Sequence, residues 1–180
     1  MGDTGADLGK VVVNRSMSLD GFIAGPDDEM DWAISYFKQD RFEEVMAATG
    51  AMLVGRRTHE VSKRMAPEDT EYDGGPVFVL THRPPEEPEP GVTFLTGDLA
   101  DAVATARAAA AGKNLEILGA DLASQCLQRG LVDEVLVYVL PVLLGDGIRF
   151  STPGLGRIEL EPLSHMRSGP VTVLRLRVQR

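Results

Sequence analysis

The feature that most constrains the fold is the stretch 114–150, in which two apolar runs flank one amphipathic segment. The first run, residues 115–118, ends at Gly119, and the second covers residues 135–140. Between them, apolar and polar side chains recur at helical spacing until Gly130, a residue type that commonly ends helices. The pattern predicts strand, helix, strand. Because both strand runs are apolar at nearly every position, we expect both of their faces to be covered.

The rest of the chain repeats this alternation of apolar and amphipathic segments. Further strands are predicted over residues 10–15, 51–54, 77–80, 92–95, 157–166 and 171–178. Helices are predicted over residues 31–48, from a capping Thr58 to about Met65, and from a capping Asp98 to about Ala111. Residues 16–26 and 145–156 are interpreted as loops because they hold turn-forming residues. We therefore expect one α/β domain over residues 10–180, with a mostly parallel sheet that has an antiparallel C-terminal end, after a flexible N-terminus over residues 1–9.

Composition limits the kinds of partner this chain can have. The formal net charge is −9, from 18 basic and 27 acidic residues, which argues against a nucleic-acid-binding surface. No apolar run approaches the ~20 residues that span a bilayer, and the single cysteine, Cys126, cannot form an internal disulfide. The histidines lack metal-ligand spacing, so no metal is expected. These features favour a cytoplasmic protein that acts on a small molecule.

The segment Gly55-Arg56-Arg57-Thr58 is the most specific local motif. A predicted buried strand ends in glycine, two arginines follow, and a threonine that can cap a helix comes next. Two cations beside a helix N-terminus would hold a phosphate by charge-assisted hydrogen bonds. The alternative is a solvated basic turn with an ordinary cap, and the residues alone leave both open.

A second candidate segment, Leu80-Thr81-His82-Arg83, follows the next predicted strand. Ligands gather at the carboxyl ends of strands in open α/β sheets, and these side chains offer hydroxyl, imidazole and guanidinium donors. The alternative is a polar loop that leads into a proline-rich connection.

A third candidate segment, Gly119-Ala120-Asp121-Leu122-Ala123, joins the central strand to its helix. Backbone N–H groups at such a helix N-terminus can bind an anion. A plain strand-to-helix turn fits the same pattern equally well.

Together these segments resemble the dihydrofolate-reductase-like superfamily, and especially its riboflavin-reductase-like branch. Gly-Leu-Val-Asp-Glu at 130–134, followed by Pro-Val-Leu-Leu-Gly at 141–145, is similar to the signature of that branch. Residues 16–24 contain a segment similar to the family's Ser-Leu-Asp-Gly-x-Ile-Ala loop along the nicotinamide. Residues 55–58 resemble its Gly-Arg-x-Thr cofactor motif. The resemblance covers most of the chain from Lys10 onward.

The resemblance implies a three-layer α/β fold and an NADPH cofactor. It places Arg56 and Thr58 at the cofactor phosphates, residues 81–83 beside the adenosine 2′-phosphate, and the turn at Gly119 beside the pyrophosphate. The cofactor-binding residues that we expect are Ser18, Trp32, Gly55, Arg56, Arg57, Thr58, Leu80, Thr81, His82, Arg83, Gly119, Ala120, Asp121, Leu122 and Ala123.

A proton source is needed beside the hydride when a C=N bond is reduced. The family's acidic residue on the first helix has two counterparts here, Asp31 and Asp40. Asp31 follows Met30 and precedes Trp32, and this triplet resembles the family's entry into that helix. We therefore predict Asp31 as the substrate-orienting or proton-supplying residue. The alternative role for Asp31 is a helix N-cap.

The resulting functional hypothesis is an NADPH-dependent reductase of a small heterocyclic or pterin- or pyrimidine-like substrate. Riboflavin synthesis itself is less favoured, because the zinc-binding motifs His-x-Glu and Cys-x-x-Cys of the deaminase half do not occur in the sequence. The alternatives are a dihydrofolate-type pterin reductase and a nucleotide-binding or purely structural dimer without turnover. The apolar run 135–144 and the habits of this branch predict a homodimer.

Overall fold

A computed structural model describes residues 8–36, 39–65, 75–87 and 89–180, with the backbone alone for residues 39–42. The strands are β1 Val11–Ser18, β2 Phe22–Ala24, β3 Thr49–Gly55, β4 Val77–Leu80, β5 Val92–Leu95, β6 Asn114–Leu118, β7 Glu134–Leu140, β8 Ile148–Arg149, β9 Leu160–Ser168 and β10 Val171–Val178. The helices are α1 Asp31–Ile34, α2 Gln39–Ala48, α3 Arg56–Met65, α4 Leu99–Ala109 and α5 Ala120–Gln128.

Eight of these strands form one sheet in the order β5-β4-β3-β6-β1-β7-β10-β9. The strands from β5 to β7 pair in parallel, whereas β10 pairs antiparallel with β7 and with β9. The mostly parallel sheet with an antiparallel C-terminal hairpin is therefore confirmed. Strand β6 returns to the place between β3 and β1, so the carboxyl ends of β3 and β6 lie side by side.

The two faces of the sheet bury different side chains, because successive residues of a strand point to opposite faces. On β7, Val135 and Val137 join the larger core, which also contains the apolar residues of α4 and α5. Leu136 and Tyr138 pack instead against a smaller core built around Ala33 of α1. The apolar character of β7 is thus explained by cover on both faces within one chain.

Three local predictions were wrong. The single helix expected over residues 31–48 is two helices, since α1 ends at Ile34 and α2 begins at Gln39, with residues 37–38 outside the described part of the chain. Thr58 is not a cap, because α3 begins at Arg56, directly after β3. The two expected loops contain strands. The end of β1 and all of β2 lie in residues 16–26, and β8 lies in residues 145–156. Strands β2 and β8 pair with each other, so that each supplies backbone hydrogen-bond partners for the other.

The helix cap predicted at Asp98 was confirmed. The Asp98 side chain accepts a hydrogen bond from the Ala100 N–H at 2.7 Å and so caps α4. Of the predicted N-terminal tail, residues 1–7 lie outside the described part of the chain, and the carbonyl of Gly9 accepts a hydrogen bond from Arg107 Nε at 2.7 Å. No helix in the described ranges is both long and apolar enough to cross a membrane.

Candidate active site

A cavity of about 970 Å³ opens at the carboxyl ends of β3, β4 and β6 and continues along the sheet face that carries α1. The first part, which we call the helix-terminus part, is lined by Gly55, Arg56, Thr58, Leu80, His82 and Gly119. The second, which we call the sheet-face part, is lined by Asn14, Tyr36, Met46, Met52, Glu116 and Tyr138. The first part is rich in backbone donors and cations, and the second is mostly apolar with a few polar groups.

Two helix N-termini meet in the helix-terminus part. Strand β3 passes into α3 at Gly55, and the neighbouring β6 passes into α5 through Gly119. Gly119 has φ 107°, and a Cβ atom there would lie 2.7 Å from Thr58 Oγ1. Only glycine therefore allows the two first turns to approach this closely. Both helix dipoles and their free N–H groups favour an anion here.

The arginines of α3 differ in their partners. Arg56 forms an ion pair of 2.9 Å with Glu60, and both side chains are more than half exposed. Arg57 forms one of 2.9 Å with Asp28, which is mostly buried. An exposed i,i+4 pair contributes little stability, so Arg56 can turn to a ligand at small cost. Turning Arg57 to a ligand would cost more, because the mostly buried Asp28 would lose the cation closest to it.

The end of β4 adds polar groups to the same part of the cavity. Leu80, Thr81 and His82 line it, whereas Arg83 does not. The Thr81 hydroxyl accepts a hydrogen bond from the Arg83 N–H at 3.1 Å, and the Thr81 N–H donates to Leu95 at 3.0 Å. Thr81 therefore shapes the turn and presents His82, which is exposed, to the cavity.

The structure brings most of the predicted cofactor-binding residues together around one cavity. Those that line it are Gly55, Arg56, Arg57, Thr58, Leu80, Thr81, His82, Gly119, Ala120, Asp121 and Leu122. Asp121 is exposed and accepts a hydrogen bond from Gln125 at 2.7 Å, so its carboxylate is turned along the helix. Those that do not line the cavity are Ser18, Trp32, Arg83 and Ala123. Ala123 is buried in the larger core.

Ser18 is fully buried and holds a turn together. Its hydroxyl accepts from the Phe22 N–H at 2.9 Å and donates to Asp20 at 2.7 Å. The Asp20 carboxylate in turn accepts from the N–H groups of Leu144 and Gly145 at 3.1 and 2.7 Å. The hydrogen bond from Ser18 and those backbone bonds lower the pKa of Asp20 to about 2. The Ser-Leu-Asp-Gly segment therefore fastens the loop after β1 to the loop after β7.

Asp31 and Trp32 lie at the start of α1, outside the cavity wall. Asp31 is exposed and is the first residue of the helix, while Met30 occupies the N-cap position. The N-cap alternative for Asp31 was therefore wrong, and its catalytic role stays a prediction. Trp32 packs against the smaller core, and its indole Nε1 is buried with no hydrogen-bond partner among the residues that the structure describes.

Two buried charged residues in the wall were missed from the sequence. Arg15 donates to the carbonyls of Ile117 and Gly119 at 2.9 and 3.1 Å, and so braces the turn into α5. Burial lowers the pKa of Arg15 to about 10 despite the nearby charge of Glu116. Burial raises the pKa of Glu116. Its effect is larger than that of the hydrogen bonds and of the Arg15 charge, which lower the pKa. The only signal in the sequence was the position of Glu116, a charge inside a strand run predicted to be covered on both faces.

The structure contains no group of three or more His, Cys, Asp or Glu residues placed to hold a metal ion within the described ranges. The residues that line the cavity offer anion binding at two helix N-termini, next to a largely apolar chamber with a buried carboxyl group.

Comparison with known proteins identifies the family. The model of the RibD C-terminal domain matches residues 9–174. The uncharacterized protein YwjB of Bacillus subtilis is 29% identical over 142 residues, which cover 77% of this chain and 80% of YwjB. A Shewanella sp. PV-4 protein, named provisionally for riboflavin biosynthesis, has a TM-score of 0.82 at 24% identity and covers 95% of this chain and 99% of its own.

The fold is also that of dihydrofolate reductase. The enzyme from Enterococcus faecalis, solved with NADP(H), superposes with a TM-score of 0.66 at 13% identity over 96% of this chain and 98% of its own. The resemblance to the dihydrofolate-reductase-like superfamily and its riboflavin-reductase-like branch is thereby confirmed. The chain belongs to the RibD C-terminal domain family.

Proposed function

We propose that the protein is an NADPH-dependent reductase of a small heterocyclic substrate of the pterin or pyrimidine type. The family and the fold support an oxidoreductase of the riboflavin-pathway reductase type. The observation that carries the choice of cofactor is the meeting of the N-termini of α3 and α5 at Gly119, with Arg56 beside them. A pyrophosphate fits this arrangement because both helix termini point free N–H groups and positive dipole ends at one place.

The residues present fit NADPH in three ways. The first turns of α3 and α5 approach each other closely at Gly119, where a Cβ would lie 2.7 Å from Thr58 Oγ1, so one phosphate could accept hydrogen bonds from both. Arg56 and His82 lie on the rim, where the additional 2′-phosphate of NADPH would need compensating charge. The apolar side chains of the sheet-face part exclude water from the place where a heterocycle would lie. When bound, NADPH supplies the hydride.

Two alternatives make different predictions. A dihydrofolate-type enzyme would oxidise NADPH in the presence of dihydrofolate. A nucleotide-binding protein without turnover would bind NADPH, but none of the acceptors in a broad screen would lead to its oxidation.

The proposal is tested by calorimetric titration of NADPH and NADH into three forms of the protein. Arg56→Ala should weaken NADPH binding by about 1.5–3 kcal/mol, the range for a hydrogen bond to a charged group, and NADH binding much less. Arg64→Ala is the matched control, because Arg64 is an exposed arginine on the same helix that does not line the cavity. Equal losses for the two cofactors would contradict the placement of the 2′-phosphate, and no binding of either would contradict the proposed function.

A further inference from the structure

A buried carboxyl group, that of Glu116, lies in the wall of the sheet-face part of the cavity. Glu116 is on β6 in the middle of the sheet and is 6% exposed. Its neighbours in the strand, Leu115 and Ile117, point to the opposite face and belong to the larger core. A carboxyl group in such a position is costly to keep charged, and it contributes nothing to the apolar packing of the strand.

The hydrogen bonds of Glu116 are distributed unequally between its two oxygens. Oε1 accepts from Asn14 Nδ2 at 3.3 Å and is 2.8 Å from Thr49 Oγ1. Among the residues that the structure describes, none is hydrogen-bonded to Oε2, and the residue lines the cavity. In a carboxylic acid the accepting oxygen is the carbonyl and the other carries the proton. When Glu116 is protonated with these bonds intact, its proton therefore sits on Oε2.

Thr49 can adjust to either protonation state of Glu116. Its hydroxyl is 2.8 Å from the Val45 carbonyl as well as 2.8 Å from Glu116 Oε1. One hydroxyl carries one proton, so Thr49 donates to either Val45 or Glu116 at any moment. Donation to Oε1 stabilises the carboxylate that is left after Oε2 has lost its proton, and donation to Val45 withdraws that stabilisation. Such a partner suits a carboxyl group that holds a proton and then releases it.

We propose that Glu116 supplies the proton that accompanies hydride transfer, in the place predicted for Asp31. The inference rests on the proposed reductase function. The substrate carbon of a C=N bond gains the hydride and its two electrons, the C=N π bond breaks, and the substrate nitrogen takes the proton from Oε2. The products are a CH–NH group, oxidised cofactor and the Glu116 carboxylate, which regains a proton from water.

The surroundings of Glu116 favour this role over a purely structural one. On β1, Asn14 contributes an amide donor and Arg15 a nearby positive charge, and on β3 Thr49 contributes its hydroxyl. Burial nevertheless raises the pKa of Glu116. A proton donor near neutral pH needs a raised pKa of this kind. Asp31, in contrast, is exposed and outside the wall.

The test is a pH titration of protein labelled with ¹³C at the glutamate side-chain carboxyl, followed by NMR. The Glu116 resonance is assigned by its loss in Glu116→Gln, which keeps the shape and the Oε1 acceptor, and thermal unfolding checks that this variant folds. In the free protein we expect Glu116 to titrate above the ordinary glutamate value of about 4.3. An ordinary or lower midpoint overturns the proposal.

The same titration with NADPH and with NADP⁺ tests the position of Glu116 relative to the reacting ring. The oxidised nicotinamide carries a positive charge that the reduced one lacks, so a carboxyl beside it should titrate lower with NADP⁺ than with NADPH. Equal midpoints in the two complexes overturn the placement at the reacting ring. Spectra that respond to neither cofactor contradict the proposed function instead, and the titration of the free protein then still decides whether Glu116 holds a proton.

Discussion

The close approach of α3 and α5 predicts a specific response to the substitution Gly119→Ala. Gly119 has φ 107°, a conformation that costs a non-glycine residue about 1–3 kcal/mol. The new Cβ would also lie 2.7 Å from Thr58 Oγ1, and overpacking of this kind costs a further ~1–3 kcal/mol. We therefore expect Gly119→Ala to lower the free energy of unfolding by about 2–6 kcal/mol in urea denaturation.

Gly97→Ala separates the two contributions. Gly97 has nearly the same φ, 108°, but a Cβ there would meet nothing within 4 Å. Gly97→Ala should therefore lower the free energy of unfolding only by the ~1–3 kcal/mol that the backbone conformation costs. Removing the hydroxyl with Thr58→Ala should rescue Gly119→Ala but leave Gly97→Ala unchanged, and a double-mutant cycle measures that coupling. Equal losses at the two glycines, or no coupling between positions 58 and 119, would refute the close approach of the two helix termini.

Three further predictions concern catalysis, assembly and pH. With any acceptor that a screen identifies, Glu116→Gln should lower kcat by about 10²–10⁴-fold, and Asp31→Asn should not; the reverse result would restore Asp31 as the proton donor. Light scattering at micromolar concentration should give twice the chain mass, and Leu143→Asp should give the monomer if the loop after β7, where Leu143 is 71% exposed, forms the interface. The pKa of Asp20 is lowered from 3.8 to about 2 in the folded protein. The contribution of Asp20 to the free energy of unfolding is therefore complete above pH 3.8 and is lost as the pH falls toward about 2. Urea denaturation between those pH values should therefore show a steeper pH dependence for the unsubstituted protein than for Asp20→Asn.

Much of the fold could be predicted because its signals are local. The apolar runs 115–118 and 135–140 identified β6 and β7, and Asp98 marked the start of α4. The pairing of β2 with β8 could not be predicted, because each strand is too short to carry a pattern and depends on the other. The break between α1 and α2 was missed because apolar residues continue across it at helical spacing.

The candidate site divides in the same way. The turn at Gly119 and the arginines after Gly55 belong to short motifs, which the sequence displays directly. The role proposed for Glu116 depends on residues far away in the chain, since Asn14 is 102 positions distant and Thr49 is 67. The fold brings these three side chains together by placing β6 between β1 and β3, and nothing in the local sequence encodes that order.

The most direct test of the account is a crystal structure of the protein with NADPH. We predict that the pyrophosphate accepts hydrogen bonds from the first-turn N–H groups of both α3 and α5, beside Thr58 and Gly119, and that the nicotinamide enters the sheet-face part of the cavity toward Glu116. Binding of NADPH at another place, or a pyrophosphate that contacts neither helix N-terminus, would contradict the central claim.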